Sequence, residues 1–181
     1  MNNPQLRVLI SDEEIKQRVA AIGAQITKDY KDGDLILVGI LKGAFIFVAD
    51  LARAINRPVR MDFMGISSYG KGTTSSGEVR VTKDLDTSIE GANIVIVEDI
   101  VDTGVTLSYL IGLLHNRKPR SIRIAALLDK PDRRLRPVQV AYTGFTIPDE
   151  FVVGYGLDYA EDYRGLKDIC VLSEGPPSDK P

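Results

Sequence analysis

Ile94-Val95-Ile96-Val97-Glu98-Asp99-Ile100-Val101-Asp102-Thr103-Gly104-Val105-Thr106-Leu107 is an apolar run that ends in two adjacent carboxylates. A third carboxylate follows three residues later, and a Thr-Gly-x-Thr turn leads into a segment with helical spacing. Such an order places a strand, a turn and a helix in succession, and open α/β sheets bind ligands at the carboxyl ends of their strands, where Glu98 and Asp99 fall. The turn from Asp102 to Thr106 offers backbone N–H groups, two hydroxyls and a helix N-terminus, a ready seat for a phosphate. Three carboxylates beside a phosphate would repel it unless they face something else. Vicinal sugar hydroxyls, or a Mg²⁺ shared with a diphosphate, would supply that partner. A helix-dipole role explains them poorly, because that effect, about 0.3–1 kcal/mol, needs one carboxylate in the first turn and not a pair on the strand end.

Outward from this stretch, strand and helix patterns alternate. Ile15, Val19, Ile22, Ile26 and Tyr30 share one helix face, with Ser11 and Glu14 spaced as a capping box at its start. Leu35 to Leu41 is apolar at nearly every position, as in a central parallel strand covered on both faces. A helix is predicted over Ala44 to Ile55, stopped by Arg57-Pro58. Strands are predicted at Val59 to Ile66, Glu78 to Thr82, Asn93 to Val97, Ser121 to Leu128, Val138 to Tyr142, Val152 to Tyr155 and Ile169 to Leu172, and a helix at Val105 to Asn116. The expected fold is α/β, a central parallel sheet flanked by helices. Residues 67–77, rich in Gly, Ser and Thr, are expected to form a flexible loop on a β-hairpin. One domain over 1–174 is expected, with a disordered tail at 175–181.

Counting narrows the function classes. The chain has 181 residues, one Cys and one His. No internal disulfide can form, and structural zinc clusters of three or four soft ligands are excluded. Apolar runs such as Val8-Leu9-Ile10 and Ala125-Ala126-Leu127-Leu128 are too short for a membrane span or signal peptide, so a cytoplasmic location is expected. His115, in the last turn of its helix, and Cys170, in a buried-looking strand, are read as structural. Gly65 to Gly72 fits G-x-x-x-x-G-K, but Gly72 stands where a P-loop needs Ser or Thr, and no apolar helix follows.

The stretch from Val95 to Thr106 closely resembles the phosphoribosyl-diphosphate signature of the type I phosphoribosyltransferases, and the order of the other motifs resembles the branch acting on hypoxanthine and guanine. The likeness runs from about Val8 to Leu172. It implies a small hood over the sheet, Mg²⁺ as cofactor, small-molecule substrates and a homo-oligomer, dimer or tetramer. It also implies Glu98 and Asp99 at the ribose hydroxyls, directly and through Mg²⁺. Asp102, Thr103, Gly104, Val105 and Thr106 would wrap the 5′-phosphate, flanked by Ile100 and Val101, with Asp102 as general acid/base near N7 of the base. Val105 falls where relatives vary, a position that contributes mainly its N–H.

The same resemblance assigns the outlying residues. Lys42 and Gly43 would meet pyrophosphate, in a turn that often contains a non-proline cis peptide, and Arg164 would clamp the same group. Lys130 would donate to O6 of a 6-oxopurine, which disfavours adenine, whose 6-amino group is itself a donor. Phe151 would stack on the purine, the Val152 backbone would address its edge, and Asp158 would hold a second Mg²⁺. Ser68 and Tyr69 belong to a lid that would keep water from a cationic sugar centre. The expected reaction is purine salvage: transfer of a 5-phosphoribosyl group to hypoxanthine, with guanine possible, giving IMP or GMP and pyrophosphate.

Charge supplies two rivals. Lys and Arg total 23 against 25 Asp and Glu, a net −2 that gives no global attraction to nucleic acid or membrane. Locally, Arg117 to Arg136 holds eight basic and two acidic residues, whereas Asp149 to Asp162 holds no Lys or Arg. The basic run fits an RNA-binding regulator that senses phosphoribosyl diphosphate, although no helix-turn-helix pattern precedes the fold. A transferase preferring xanthine is the other alternative.

Overall fold

The computed structural model describes residues 6–68 and 79–173. Tyr69 and nearly all of the expected loop, together with the 175–181 tail, lie outside them. Twelve named elements follow one another: β1 (Leu6–Ile10), α1 (Asp12–Asp29), β2 (Leu35–Leu41), α2 (Phe45–Ala54), β3 (Arg60–Ser68), β4 (Val79–Lys83), β5 (Asn93–Val101), α3 (Val105–His115), β6 (Ser121–Asp129), β7 (Tyr142–Thr146), β8 (Val152–Val153) and β9 (Ile169–Leu172). Six strands form the main sheet in the order β4-β3-β2-β5-β6-β7, parallel except for the β3–β4 pair.

The continuous apolar character of β2 and β5 has a direct cause. Leu35, Leu37, Val95 and Val97 pack under α1 and α2, through Ile15, Val19, Ile22, Ile26, Phe47, Val48 and Leu51. Their neighbours Ile36, Val38, Ile40, Ile94 and Ile96 point the other way, onto Leu107, Leu110 and Leu114 of α3. Each strand is therefore buried on both faces, as a parallel sheet with helices on both sides requires. At the start of α1 the capping box is complete, Ser11 accepting from the Glu14 N–H and the Glu14 carboxylate accepting from the Ser11 N–H. Among the described residues no helix is long and apolar enough to cross a membrane.

A second sheet, β1-β9-β8, is the small hood that the family likeness implied. It is antiparallel, with Leu6 opposite Leu172 and Val152 opposite Val171. Its buried residues Ile10, Val152, Ile169 and Val171 join the same core as α1 and α2, which ties the hood to the sheet. Several elements differ from the sequence expectation; β8, for one, ends at Val153 and not at Tyr155. β1 was not expected as a strand, since its partner lies at the other end of the chain. β7 begins at Tyr142 and not at Val138, because the ladder to β6 starts only where Ala141 donates to the Ile124 carbonyl, while Val138 and Val140 pack against the second core without pairing. β5 continues through Glu98 and Asp99 to Val101, paired with β6 up to Asp129.

Candidate active site

Extension of β5 decides where its carboxylates go. Successive strand residues face opposite sides, and Glu98 and Asp99 line two different clefts. The first, about 250 Å³, is bounded by Ile40, Leu41, Glu98, Thr103, Gly104 and Thr106. The second, about 320 Å³, is bounded by Asp99, Lys130, Phe151, Val152, Leu157 and Asp158. Ile100 and Asp102 line both. Asp102 therefore stands where the two clefts adjoin.

The first cleft ends on the turn into α3. Gly104 is the N-cap, with φ +78°, and a Cβ there would collide with the Arg136 carbonyl. Only glycine fits that backbone without strain. Thr103 receives the N–H groups of Leu135 and Arg136 on its carbonyl, and its hydroxyl accepts from the Val105 N–H at 3.4 Å. The turn is thereby pinned from both sides at the positive end of the α3 dipole.

Glu98 is buried, and its pKa lies well above the usual carboxylate range, first because burial penalises its charge and second because Asp99 is adjacent. Asp99 is raised as well, mainly by burial, although the Ile100 N–H bonded to it at 2.7 Å pulls the other way. Gly43 faces Asp99 so closely that a Cβ would strike the carboxylate. The Leu41–Lys42 peptide beside it is cis.

In the second cleft Lys130, 8% exposed, donates to the Glu150 carbonyl at 2.7 Å and meets Asp149 at 3.4 Å. Phe151 is 38% exposed, an unusual state for so large an apolar ring, and the Tyr159 ring stands edge-on to it at 5.7 Å and 84°. Phe151 and Lys130 line the same cleft. Asp158 pairs with Arg164 at 2.9 Å and accepts from the Glu161 N–H. Arg164 also donates to the Gly156 carbonyl at 2.8 Å, and its Nε is buried with no partner among the described residues. Lys42, in contrast, is exposed and reaches Glu161 at 2.9 Å.

The structure thus brings Asp99, Ile100, Asp102, Lys130, Phe151, Val152 and Asp158 around one cleft, and Glu98, Val101, Asp102, Thr103, Gly104 and Thr106 around the other. Lys42, Gly43 and Arg164 line neither cleft: Gly43 abuts Asp99, Arg164 pairs with Asp158, and Lys42 reaches Glu161. Val105 contributes its N–H to the turn. Ser68 ends β3, and Tyr69 lies outside the described residues. Two side chains escaped the sequence reading. Arg133 bonds Asp102 at 3.0 Å and Asp149 at 3.2 Å, and Glu161 touches both Lys42 and Arg164. The sequence reading had counted both only as charges within longer basic and acidic stretches.

No three His, Cys, Asp or Glu groups converge among the described residues into a metal site of their own. A hard cation here would need substrate oxygens to complete its shell, which is usual for Mg²⁺.

A glycine-capped helix turn joined at one carboxylate to a cleft walled by an aromatic ring fits a transferase that handles a phosphorylated sugar and a planar ring. The chain belongs to the phosphoribosyltransferase family, whose phosphoribosyl transferase domain matches residues 10–160. It is 54% identical over 166 residues to the hypoxanthine-guanine phosphoribosyltransferase of Bacillus subtilis, covering 92% of each chain. The hypoxanthine phosphoribosyltransferase of Haemophilus influenzae is 51% identical over 169 residues, covering 92% of this chain and 94% of that one. A solved hypoxanthine phosphoribosyltransferase from Staphylococcus aureus superposes with a TM-score of 0.90 at 48% identity, over 94% of this chain and 92% of that one.

Proposed function

We propose that residues 6–173 act as one purine-salvage unit that moves a 5-phosphoribosyl group from phosphoribosyl diphosphate to N9 of hypoxanthine or guanine, giving IMP or GMP and pyrophosphate. The observation that carries this reading is the position of Asp102, shared by the phosphate-accepting cleft and the aromatic one. A group at that junction faces the sugar–base bond while the sugar phosphate and the purine occupy their own sides.

In this reading Thr103, Gly104, Val105 and Thr106 hold the 5′-phosphate, and Glu98 and Asp99 address the ribose hydroxyls. The purine stacks on Phe151, the Val152 backbone meets its edge, and Lys130 donates to O6. A base carrying a 6-amino group would set donor against donor at that buried ammonium, so adenine is rejected. The bond from C1 of the sugar to pyrophosphate breaks with its electron pair on the leaving oxygen, and N9 supplies the pair for the new bond. Asp102 takes the proton the base loses near N7. Since Arg133 occupies Oδ1 of Asp102, the proton goes to Oδ2. Lys42 and Arg164 receive the departing pyrophosphate.

Glu98 and Asp99, buried carboxylates with raised pKa values, would help hold one cation together with sugar oxygens, and Asp158 would help hold a second with the pyrophosphate. Bound Mg²⁺ would neutralise the diphosphate and assist its departure. Cytoplasmic location and assembly into a dimer or tetramer complete the proposal.

The RNA-binding alternative loses its main support. Arg117, Arg120, Arg123, Lys130, Arg133 and Arg134 each meet a carboxylate of the same chain, which leaves little free positive surface in that run. The deciding experiment is a pyrophosphate-release assay with Mg²⁺, phosphoribosyl diphosphate and hypoxanthine, guanine, xanthine or adenine in turn. Turnover with hypoxanthine or guanine and not adenine is expected. Turnover with xanthine alone would favour the second alternative, and none with any 6-oxopurine would sink the transferase reading.

A further inference from the structure

The two cations offered to pyrophosphate already share an anion. One oxygen of Glu161, Oε2, lies 2.9 Å from Lys42 Nζ and 3.5 Å from Arg164 Nη2. These cations come from opposite sides of the site, Lys42 from the end of β2 and Arg164 from the segment before β9. A single carboxylate oxygen between them occupies the place a bridging diphosphate oxygen would take. The contact is not a chance approach of a floppy side chain. Residues 159–162 form a tight turn closed by Tyr159 and Asp162, whose N–H groups donate to each other's carbonyls at 3.1 and 3.0 Å. The Asp158 carboxylate holds the Glu161 N–H at 2.9 Å, and Glu161 itself sits at φ +70°, a left-handed backbone that non-glycine residues rarely adopt. The Lys42 ammonium in turn holds the Glu161 carboxyl below the usual carboxylate range.

Resting on the assignment of Lys42 and Arg164 to pyrophosphate, we infer that Glu161 is an internal competitor for the diphosphate site, displaced when the substrate binds and returning when pyrophosphate leaves. The strength of the contact suits that task. Lys42 and Glu161 are 65% and 66% exposed. Such pairs are weak in water and screened by salt, so a multiply charged diphosphate can displace one carboxylate without difficulty. A buried pair would instead block the site. Glu161 acts by occupying other residues, so it is a positioning residue that tunes affinity and release.

The test uses the full chain and inorganic pyrophosphate with Mg²⁺ as the probe, titrated calorimetrically. Glu161→Gln is expected to bind pyrophosphate about two- to fivefold tighter than the parent, the range set by exposed ion pairs. Its KM for phosphoribosyl diphosphate should fall similarly, with kcat unchanged or lower. Asp162→Asn removes an equal charge one residue away and should show no such gain. Equal or weaker binding by Glu161→Gln overturns the inference, and so does an equal gain in Asp162→Asn, which would reduce the effect to net charge. Failure of the parent to bind pyrophosphate at all would instead remove the Lys42 and Arg164 assignment on which the inference rests.

Discussion

Asp102 and Glu98 are four residues apart on one strand and its turn, yet their surroundings give them opposite duties. Asp102 is partly exposed, lines both clefts and is held through Oδ1 by Arg133. Asp102→Asn keeps the shape and the acceptor toward Arg133 but cannot take a proton. The variant is expected to fold as the parent does and to lose about 10²–10⁴-fold in kcat; near-parental kcat in purified protein would remove Asp102 from the chemistry. Glu98 is instead a stability liability. Its folded pKa is raised by burial above the roughly 4.3 of an unfolded chain, so the folded state keeps a proton that the unfolded state gives up. Stability tied to this group therefore falls as pH climbs from below that ordinary value toward the folded one. Glu98→Gln removes the liability. Its melting temperature should exceed the parent's by more at pH 8 than at pH 5, while turnover drops. A gap that stays constant or narrows with rising pH would contradict the burial argument. The sequence displayed both residues in a recognisable motif. What it did not display were Arg133 beside Asp102 and Glu161 beside Lys42, because those contacts join residues 31 and 119 positions apart.

At the scale of elements, local pattern was most legible where it was strongest. The five-residue stripe and capping box of α1, and the wholly apolar β2, lie where spacing put them, since each is specified within a few turns or residues. Element ends were less legible. A strand ends where its partner's ladder ends, and the pairing of β5 to β6 carries Glu98 and Asp99 inside the sheet and not beyond it. The turn after β5 is the element on which the phosphate cleft depends, and Gly104 is its critical position. Gly104→Ala would force an L side chain to φ +78° and drive its Cβ into the Arg136 carbonyl. Left-handed strain alone costs about 1–3 kcal/mol. The expected result is a lowered urea midpoint together with a raised KM for phosphoribosyl diphosphate. Parental values of both would mean that the turn relaxes freely and is not a built phosphate seat.

Across the whole molecule, the base cleft depends on a sheet assembled from both ends of the chain. β9 is the middle strand of the hood, paired on one side with β1 and on the other with β8, which follows directly on Phe151. No local pattern announces such a sheet. Its strands are two to five residues long, and Leu6 pairs with Leu172 across nearly the whole length of the chain. Cys170, the one cysteine of the chain, lies in β9 opposite both Val8 and Val153. It is buried, and burial, with a smaller contribution from the Asp168 charge, raises its thiol pKa and suppresses the reactive thiolate. Labelling of Cys170 therefore requires the hood strands to part, which makes it a built-in reporter of hood opening. At pH 8 an aromatic disulfide reagent should label the native protein at least about tenfold more slowly than the protein in urea. In the proposed pose a purine nucleotide, its ring against Phe151 and Val152, would tether β8 to the main sheet through Lys130 and Asp102. IMP with Mg²⁺ should then slow the labelling further, while inorganic pyrophosphate, proposed to bind at Lys42 and Arg164, should slow it less. Equal rates in native and denatured protein would show that the hood is not a closed sheet. Indifference to IMP at saturating nucleotide would show that the base cleft and the hood open independently, against the common core that joins Val152, Ile169 and Val171 to α1 and α2.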